Sequence, residues 1–148
     1  MKTLHLAAAE DLARVAQLVL AFQAEMGREA DPAELEDALV PLLEGAPQGA
    51  LWLVGPRSAP VGYVAVGFGW SIEAGGLVAQ VDQLYIRPAV RRRGMGGEAL
   101  DALARTLSEA GARAISIDVA EPDAKSHRFY ARARFRPRPG RVTLTRTL

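Results

Sequence analysis

The spacing of apolar residues predicts two amphipathic helices in the first third of the chain. Over residues 10–26 the apolar side chains recur at intervals of three and four, and Gly27 can end the helix. A second helix is predicted over residues 31–45, because Asp31 can cap its first turn and Pro32 suits the first helical position. Both segments are typical of helices with one apolar face.

Runs of apolar residues predict the strands of a mixed sheet. Residues 50–54 and 61–66 flank a turn rich in glycine and proline, which predicts an antiparallel hairpin. Residues 81–86 and 114–119 predict two further strands, and the helical pattern between them indicates a right-handed parallel crossover. A sheet that contains a hairpin and a parallel crossover must be mixed.

The two ends of the chain supply the remaining predicted elements. We expect a short strand over residues 3–6, a helix over residues 125–133 and an alternating final strand over residues 142–148. No linker-like segment divides the chain, and 148 residues can bury a substantial core. The prediction is therefore a single domain over residues 1–148.

Composition excludes several classes of function. The chain contains no cysteine, which excludes a thiol nucleophile, a disulfide framework and a Cys-ligated zinc site. His5 and His127 are the two histidines of the chain, and no metal site is predicted. The N-terminus is a poor signal peptide and no apolar run is long enough to span a bilayer, so we expect a cytoplasmic protein without a membrane partner.

Charge is unevenly distributed along the chain. Residues 1–86 contain 4 Lys/Arg and 11 Asp/Glu, a net charge of −7, whereas residues 87–148 contain 14 Lys/Arg and 6 Asp/Glu, a net charge of +8. This polarity indicates two ligands of opposite sign, a nucleic-acid patch on the C-terminal half, or a solvated surface.

The densest positive charge lies in a glycine-rich turn between a predicted strand and a predicted helix. Three consecutive arginines precede the segment Gly94-Met95-Gly96-Gly97. The N-terminus of a helix presents unpaired N–H groups and the positive end of the helix dipole, and glycines let an anion approach them. The turn is therefore predicted to bind a phosphate group.

Two known nucleotide-binding motifs contain a comparable turn. A P-loop does not fit, because no Lys-Ser/Thr pair follows the glycines. The dinucleotide fingerprint G-x-G-x-x-A fits residues 94–99, with Asp118 as a ribose-binding acid. However, seven residues separate the strand from Gly94 and 30 residues follow Asp118, too few for a second nucleotide-binding half. The dinucleotide interpretation therefore stays open as the weaker alternative.

Three segments together resemble the GNAT superfamily of acetyl-CoA-dependent N-acetyltransferases. Arg91-x-x-Gly94-x-Gly96 is similar to the Arg/Gln-x-x-Gly-x-Gly/Ala signature, residues 81–88 resemble the strand before it, and residues 126–135 resemble the C-terminal tyrosine segment. The resemblance implies an α/β (α+β) fold with a mixed, twisted central sheet of roughly six to seven strands flanked by about four helices. It also implies transfer of an acetyl group from acetyl-CoA to a primary amine by direct attack in a ternary complex.

The resemblance further implies where coenzyme A binds. Amides of the turn would bind its pyrophosphate, the preceding strand would pair with the pantetheine arm, and one strand N–H would polarise the thioester carbonyl. The implied cofactor-binding residues are Leu84, Tyr85, Ile86, Arg91, Arg92, Arg93, Gly94, Met95, Gly96, Gly97 and Glu98.

The same resemblance implies the catalytic and acceptor-binding residues. Tyr130 matches a tyrosine near the sulfur and would protonate the departing thiolate, unless it is a packed helix residue. Asp82 would take the proton of the amine, and alternation places it on the same face as Leu84 and Ile86; the alternative is a carboxylate paired with an arginine. Other candidates for this base are Glu25, Glu29 and Glu73. The candidate substrate-binding residues, which border the acceptor cleft of this fold, are Glu25, Trp70 and Glu73.

Two positions depart from the family pattern, and two other functions stay open. Arg134 stands where the family prefers glycine, and Asp123 stands where an asparagine is common, so a usual cofactor contact is in doubt.

The alternative functions are a domain that binds acyl-CoA without catalysis and a nucleic-acid-binding or regulatory module that uses the arginines of residues 128–141. In the main interpretation the partner is a small amine or a peptide amine rather than nucleic acid, and the final strand could pair across a homodimer.

Overall fold

The structure, a computed structural model, describes residues 2–120 and 124–148, so the departure at Asp123 lies outside the described residues. Within these ranges the strands are β1 (Leu4–Leu6), β2 (Gly49–Val54), β3 (Gly62–Ser71), β4 (Gly76–Ile86) and β5 (Ala114–Ile117). The helices are α1 (Leu12–Glu25), α2 (Pro32–Leu43), α3 (Met95–Glu109) and α4 (Ala124–Arg132).

The chain divides into two compact units, Met1–Asp118 and Val119–Leu148. The first contains one sheet in the order β1-β2-β3-β4-β5, in which all neighbours are antiparallel except the parallel pair β4 and β5. The predicted mixed sheet, the first hairpin and the parallel crossover are therefore confirmed. The second unit contains α4.

The described sheet has five strands, fewer than the six to seven expected from the resemblance. Residues 142–148 form no strand, and their apolar side chains Val142, Leu144 and Leu148 are exposed. Alternation alone does not make a strand, because an extended segment needs a paired neighbour and a buried face. The second hairpin, β3–β4, was not predicted, since glycines interrupt the apolar pattern over residues 67–76.

Helices α1 and α2 cover one face of the sheet. Val15 and Leu18 of α1 and Leu39 of α2 are buried in one cluster with Tyr63 of β3 and Tyr85 of β4. Helix α3 contacts β4 and β1, and its buried leucines lie outside that cluster, so α3 covers the opposite face. The parallel crossover thereby places the N-terminus of α3 beside the end of β4.

A β-bulge interrupts the pairing of β4 with β3. Ala65 pairs with Gln83, but Val66 pairs with Val81, so Asp82 has no partner residue in β3. An extra residue of this kind bends the strand and re-aims the side chains beside it.

Because of the bulge, the side chain of Asp82 lies on the face of the sheet opposite to the predicted one. Tyr85 lies in the core under α1 and α2, so the neighbouring Leu84 and Ile86 point to the opposite face. Asp82, by contrast, lines a cavity together with residues of α2. The prediction that Asp82 shares a face with Leu84 and Ile86 is wrong, because strict alternation does not continue across a bulge.

Arg134 follows α4 in the left-handed backbone conformation, with a φ of +72°. This conformation costs a residue with a Cβ about 1–2 kcal/mol, which is the physical reason for a glycine preference at such a position. We expect Arg134→Gly to raise the free energy of unfolding by about 0.5–1 kcal/mol, since the entropy that glycine loses offsets part of the relief. Urea titration followed by circular dichroism measures the change. Arg134→Ala is the control, because it removes the charge and keeps the Cβ; an equal gain in that variant would contradict the backbone explanation.

Candidate active site

The turn between β4 and α3 contains two residues in the left-handed conformation. Arg92 has a φ of +65° and Gly94 has a φ of +79°. For Arg92 this is a strained conformation, and strain of this kind concentrates at functional sites. The arginine side chains of the turn and Gly94 are exposed.

The amides of this turn have no main-chain acceptors. The first main-chain hydrogen bond of α3 runs from the N–H of Glu98 to the C=O of Gly94, at 3.0 Å. Within the described ranges no amide of residues 92–97 donates to a main-chain carbonyl. A Cβ placed on Gly94 or Gly97 would meet no atom within 4 Å, so the space beside these amides is open. The predicted anion-binding residues thus share one turn that presents N–H groups and positive charge, and their binding role stays a prediction.

Arg91 joins this turn to α1. Its Nη1 and Nη2 donate to Oε1 and Oε2 of Glu25, each at 2.6 Å, and its Nε donates to the C=O of Ile86 at 2.7 Å. The guanidinium also lies over the ring of Tyr85, 5.6 Å from its centroid. Glu25, a predicted substrate-binding residue, is therefore held by Arg91, while Arg92 and Arg93 form no ion pair within the described part of the chain.

The hydrogen bond from Arg91 lowers the pKa of Glu25 below its ordinary value of 4.5. A carboxylate with a lowered folded-state pKa stabilises the fold above its unfolded-state pKa, and this contribution is lost as the pH falls through the folded-state value. We expect Glu25→Gln to lower the free energy of unfolding by at most about 1 kcal/mol at neutral pH, because both side chains are partly exposed to solvent. Urea titration at several pH values should show this difference shrinking below the ordinary pKa of 4.5. Glu29→Gln is the control, and a pH-independent difference for Glu25→Gln would contradict the ion-pair explanation.

The edge of β4 that faces β5 is unpaired beyond the bulge. The β4–β5 pairing ends at Val81 and Ile117, whereas β4 continues to Ile86. No described strand pairs with Leu84, Tyr85 or Ile86 on that side. An extended ligand could therefore add to this edge as a further strand, next to the amides of the turn.

The structure separates the predicted acceptor-binding residues. Trp70 is the penultimate residue of β3, next to the hairpin turn that contains Glu73, and it is 76% exposed. Trp70 pairs with Leu77, which is five residues from Asp82 along β4, so Trp70 lies about 16 Å from Asp82 at the usual rise of a strand. Glu25 lies at the other end of β4, in contact with Arg91. Of the predicted residues, Asp82 lies nearest the middle of the strand.

A cavity of about 420 Å³ lies beside Asp82, between α2 and strands β2 to β4. Sequence reasoning missed this cavity, because its wall joins segments that are distant in the chain. The small side chain of Ala38, one helical turn before Leu42 on the same face of α2, was a local signal that this face leaves space beside the sheet.

Tyr130 belongs to α4, in the second unit. Its ring packs between Phe129 and Phe135, with centroid distances of 4.9 and 5.8 Å. Burial raises the pKa of Tyr130 above its ordinary value of 10.0, so the phenol stays protonated at neutral pH. The residue therefore retains the proton that a general acid needs.

The described part of the chain has neither a metal-ligand cluster nor a helix suited to a membrane. Residues 2–120 and 124–148 contain no group of three or more His, Cys, Asp or Glu side chains that could hold a metal ion. None of the helices in these ranges combines the length and apolar character that crossing a bilayer requires.

Comparison with known proteins assigns the chain to a class. Residues 12–135 match the sequence profile of the Acetyltransferase (GNAT) family. Because the match covers most of the chain, the protein belongs to the GNAT acetyltransferase family, as its arginine–glycine turn indicated. None of the curated proteins matches the chain.

Solved structures share the fold over the full length. An integron cassette protein from the mobile metagenome of Cole Harbour Salt Marsh is 28% identical, with a TM-score of 0.86 over 99% of this chain and 90% of its own. A protein of Arthrobacter sp. FB24 assigned as an acetyltransferase is 28% identical, with a TM-score of 0.84 over 100% and 97%. An aminoglycoside acetyltransferase from an uncultured soil metagenomic sample is 18% identical, with a TM-score of 0.78 over 98% and 95%.

Proposed function

We propose that the protein transfers an acetyl group from acetyl-CoA to the nitrogen of a primary amine. The observation that carries this proposal is the set of unpaired amides at residues 92–97, adjoining the unpaired edge of β4, in a member of the GNAT family. A phosphate-binding helix N-terminus beside a free strand edge suits a ligand that has a pyrophosphate at one end and an extended amide-containing arm at the other.

The residues of the turn and those of β4 bind different parts of coenzyme A. Amides from Arg92 to Gly97 donate to the pyrophosphate, and Arg92 and Arg93 add positive charge beside it. Arg91 contributes by fixing the start of the turn to α1 through Glu25. Main-chain groups of Leu84 to Ile86 pair with the pantetheine arm, and one N–H of this strand donates to the thioester oxygen.

The chain contains no cysteine to carry an acetyl group, so the amine attacks directly. Acetyl-CoA, as the donor substrate, supplies an activated thioester. The lone pair of the amine nitrogen forms the new C–N bond to the carbonyl carbon, and the C–S bond breaks with its electron pair on sulfur. Tyr130 gives its phenolic proton to that sulfur, and Asp82 takes a proton from the amine, directly or through water. An amine acceptor also agrees with the aminoglycoside acetyltransferase among the structural neighbours, although that protein shares the fold alone.

Two measurements test the proposed function in sequence. Isothermal titration of the full chain with acetyl-CoA should show binding, and thiol release in the presence of amines should then show turnover. Binding without turnover across the amine panel would favour a non-catalytic acyl-CoA-binding domain. Absence of binding would overturn the proposal and favour a module that acts through its basic C-terminal half, which titration with nucleic acid then tests.

A further inference from the structure

The cavity beside Asp82 has a lining that limits what it can bind. Eight of its eleven lining residues have no polar side-chain group, among them Leu42 of α2 and Val66 of β3. The polar members are Gln48, Gln80 and Asp82. A volume of about 420 Å³ falls in the range of small-molecule sites, and the lining is mainly apolar with few polar groups, as such sites usually are.

Asp82 is the source of charge in this lining. The other ten lining residues are uncharged, and Asp82 forms no hydrogen bond or ion pair within the described part of the chain. The bulge at Val66 brings this carboxylate to the α2 side of the sheet. The cavity therefore offers one negative group to a ligand, at one side of an otherwise apolar wall.

We infer that this cavity binds the acetyl acceptor, and that the acceptor is a primary amine with a single positive charge on a compact apolar body. This inference rests on the proposed function. The ammonium group meets Asp82, and the apolar body lies against Pro41 and Leu42 of α2. Asp82 belongs to β4, and the following residues of this strand are proposed to bind the pantetheine arm. An amine that binds to Asp82 would therefore lie beside the strand that positions the thioester.

The single charge in the lining discriminates against polycations. The lining offers a second or third ammonium group no anionic partner, so added positive charges gain no ion pair in the cavity. An apolar body gains free energy by leaving water, about 25 cal/mol per Å² of buried apolar surface. The preference is therefore for an arylalkylamine or alkylamine over a polyamine.

Two glycines of β3 provide a matched test of this site. Gly67 lines the cavity, and a Cβ built on it would meet one atom within 4 Å, the main-chain oxygen of Gln48 at 4.0 Å. The Cβ of a leucine at position 67 is therefore unobstructed, and we expect the rest of its side chain to reduce the cavity volume. Gly69 lies two residues further on the same face of the strand, outside the cavity lining, and a Cβ built on it would lie 3.8 Å from Cγ2 of Val78. Gly69→Leu is the control.

The experiment compares 2-phenylethylamine with spermidine as acceptors, using thiol release from acetyl-CoA by the full chain. We expect wild-type kcat/KM to be at least about 10-fold higher for 2-phenylethylamine, because binding of apolar groups discriminates by such factors. Gly67→Leu should raise KM for 2-phenylethylamine by at least about 10-fold with unchanged affinity for acetyl-CoA, whereas Gly69→Leu should behave as wild type.

Other results would overturn either the inference alone or the proposed function as well. Higher kcat/KM for spermidine, or an unchanged KM in Gly67→Leu, would overturn the inference while the proposed function stands, since thiol release is still observed. Failure of the wild-type chain to bind acetyl-CoA would overturn the proposed function and the inference with it. As a binding readout independent of turnover, titration of the coenzyme A-saturated chain with 2-phenylethylamine should show weaker binding for Asp82→Asn; equal binding would contradict the pairing of the ammonium group with Asp82.

Discussion

Replacement of Tyr130 by phenylalanine is expected to lower kcat by about 100- to 10,000-fold, the range typical of a lost general acid, with no change in affinity for acetyl-CoA. The substitution keeps the ring that packs between Phe129 and Phe135, so the local fold should persist. What it removes is the hydroxyl proton that we propose is donated to the departing thiolate. Since the thiolate forms only as the C–S bond breaks, the loss should fall on turnover and not on ground-state binding.

The measurement combines steady-state thiol release with isothermal titration of acetyl-CoA. Tyr63→Phe is a matched control, because it removes a hydroxyl that donates to Oε1 of Gln83 at 2.7 Å. That variant should lose about 1 kcal/mol of stability and keep its kcat. The pH profile adds a second readout: burial raises the pKa of Tyr130 above 10.0, so wild-type kcat should hold up to that pH and fall above it. Unchanged turnover in Tyr130→Phe would exclude the acid role.

Local patterns explain why much of the fold could be predicted from the sequence. Helices α1 and α2 follow from apolar spacing and from the Asp31-Pro32 start, where Asp31 accepts a hydrogen bond from the N–H of Ala33 in the structure. The first hairpin and the arginine–glycine turn likewise depend on residues close together in the chain. The left-handed φ of Gly94 is one that glycine adopts at little cost, so the turn could be located without knowledge of the tertiary structure.

Features that depend on tertiary contacts could not be predicted. Arg91 and Glu25 are 66 residues apart, and Arg57 and the buried Asp11 are 46 apart, so no local pattern pairs them. The bulge at Asp82 has no signal in an alternating strand, yet it decides which face the carboxylate occupies. The cavity beside Asp82 likewise depends on tertiary contacts, because α2 forms one side of it and strands β2 to β4 form the other. Sequence reasoning therefore placed the Asp82 side chain on the other face of the sheet and did not pair Glu25 with Arg91, while the roles proposed for both residues stay predictions.

Replacement of Gly97 by aspartate is expected to weaken acetyl-CoA binding by at least about 100-fold, because a carboxylate within a few Å of a bound phosphate is repelled by several kcal/mol at an effective dielectric constant of about 20. The fold should tolerate this change. A Cβ on Gly97 meets no atom within 4 Å, and its φ lies outside the left-handed region. Gly97 lies in the first turn of α3, where a negative charge favours the helix dipole, so stability should be kept or raised while binding is lost.

Gly97→Asn is the matched control, since it has the same size as aspartate without the charge. Isothermal titration of both variants with acetyl-CoA separates repulsion from steric effects, and thermal unfolding confirms that each is folded. The difference in affinity between the two should decrease as the salt concentration rises, because ions screen the repulsion between exposed charges. Equal affinities for Gly97→Asp and Gly97→Asn at low salt would mean that the pyrophosphate does not bind at the N-terminus of α3. A large loss in the aspartate variant alone would locate the anion at the unpaired amides of residues 92–97.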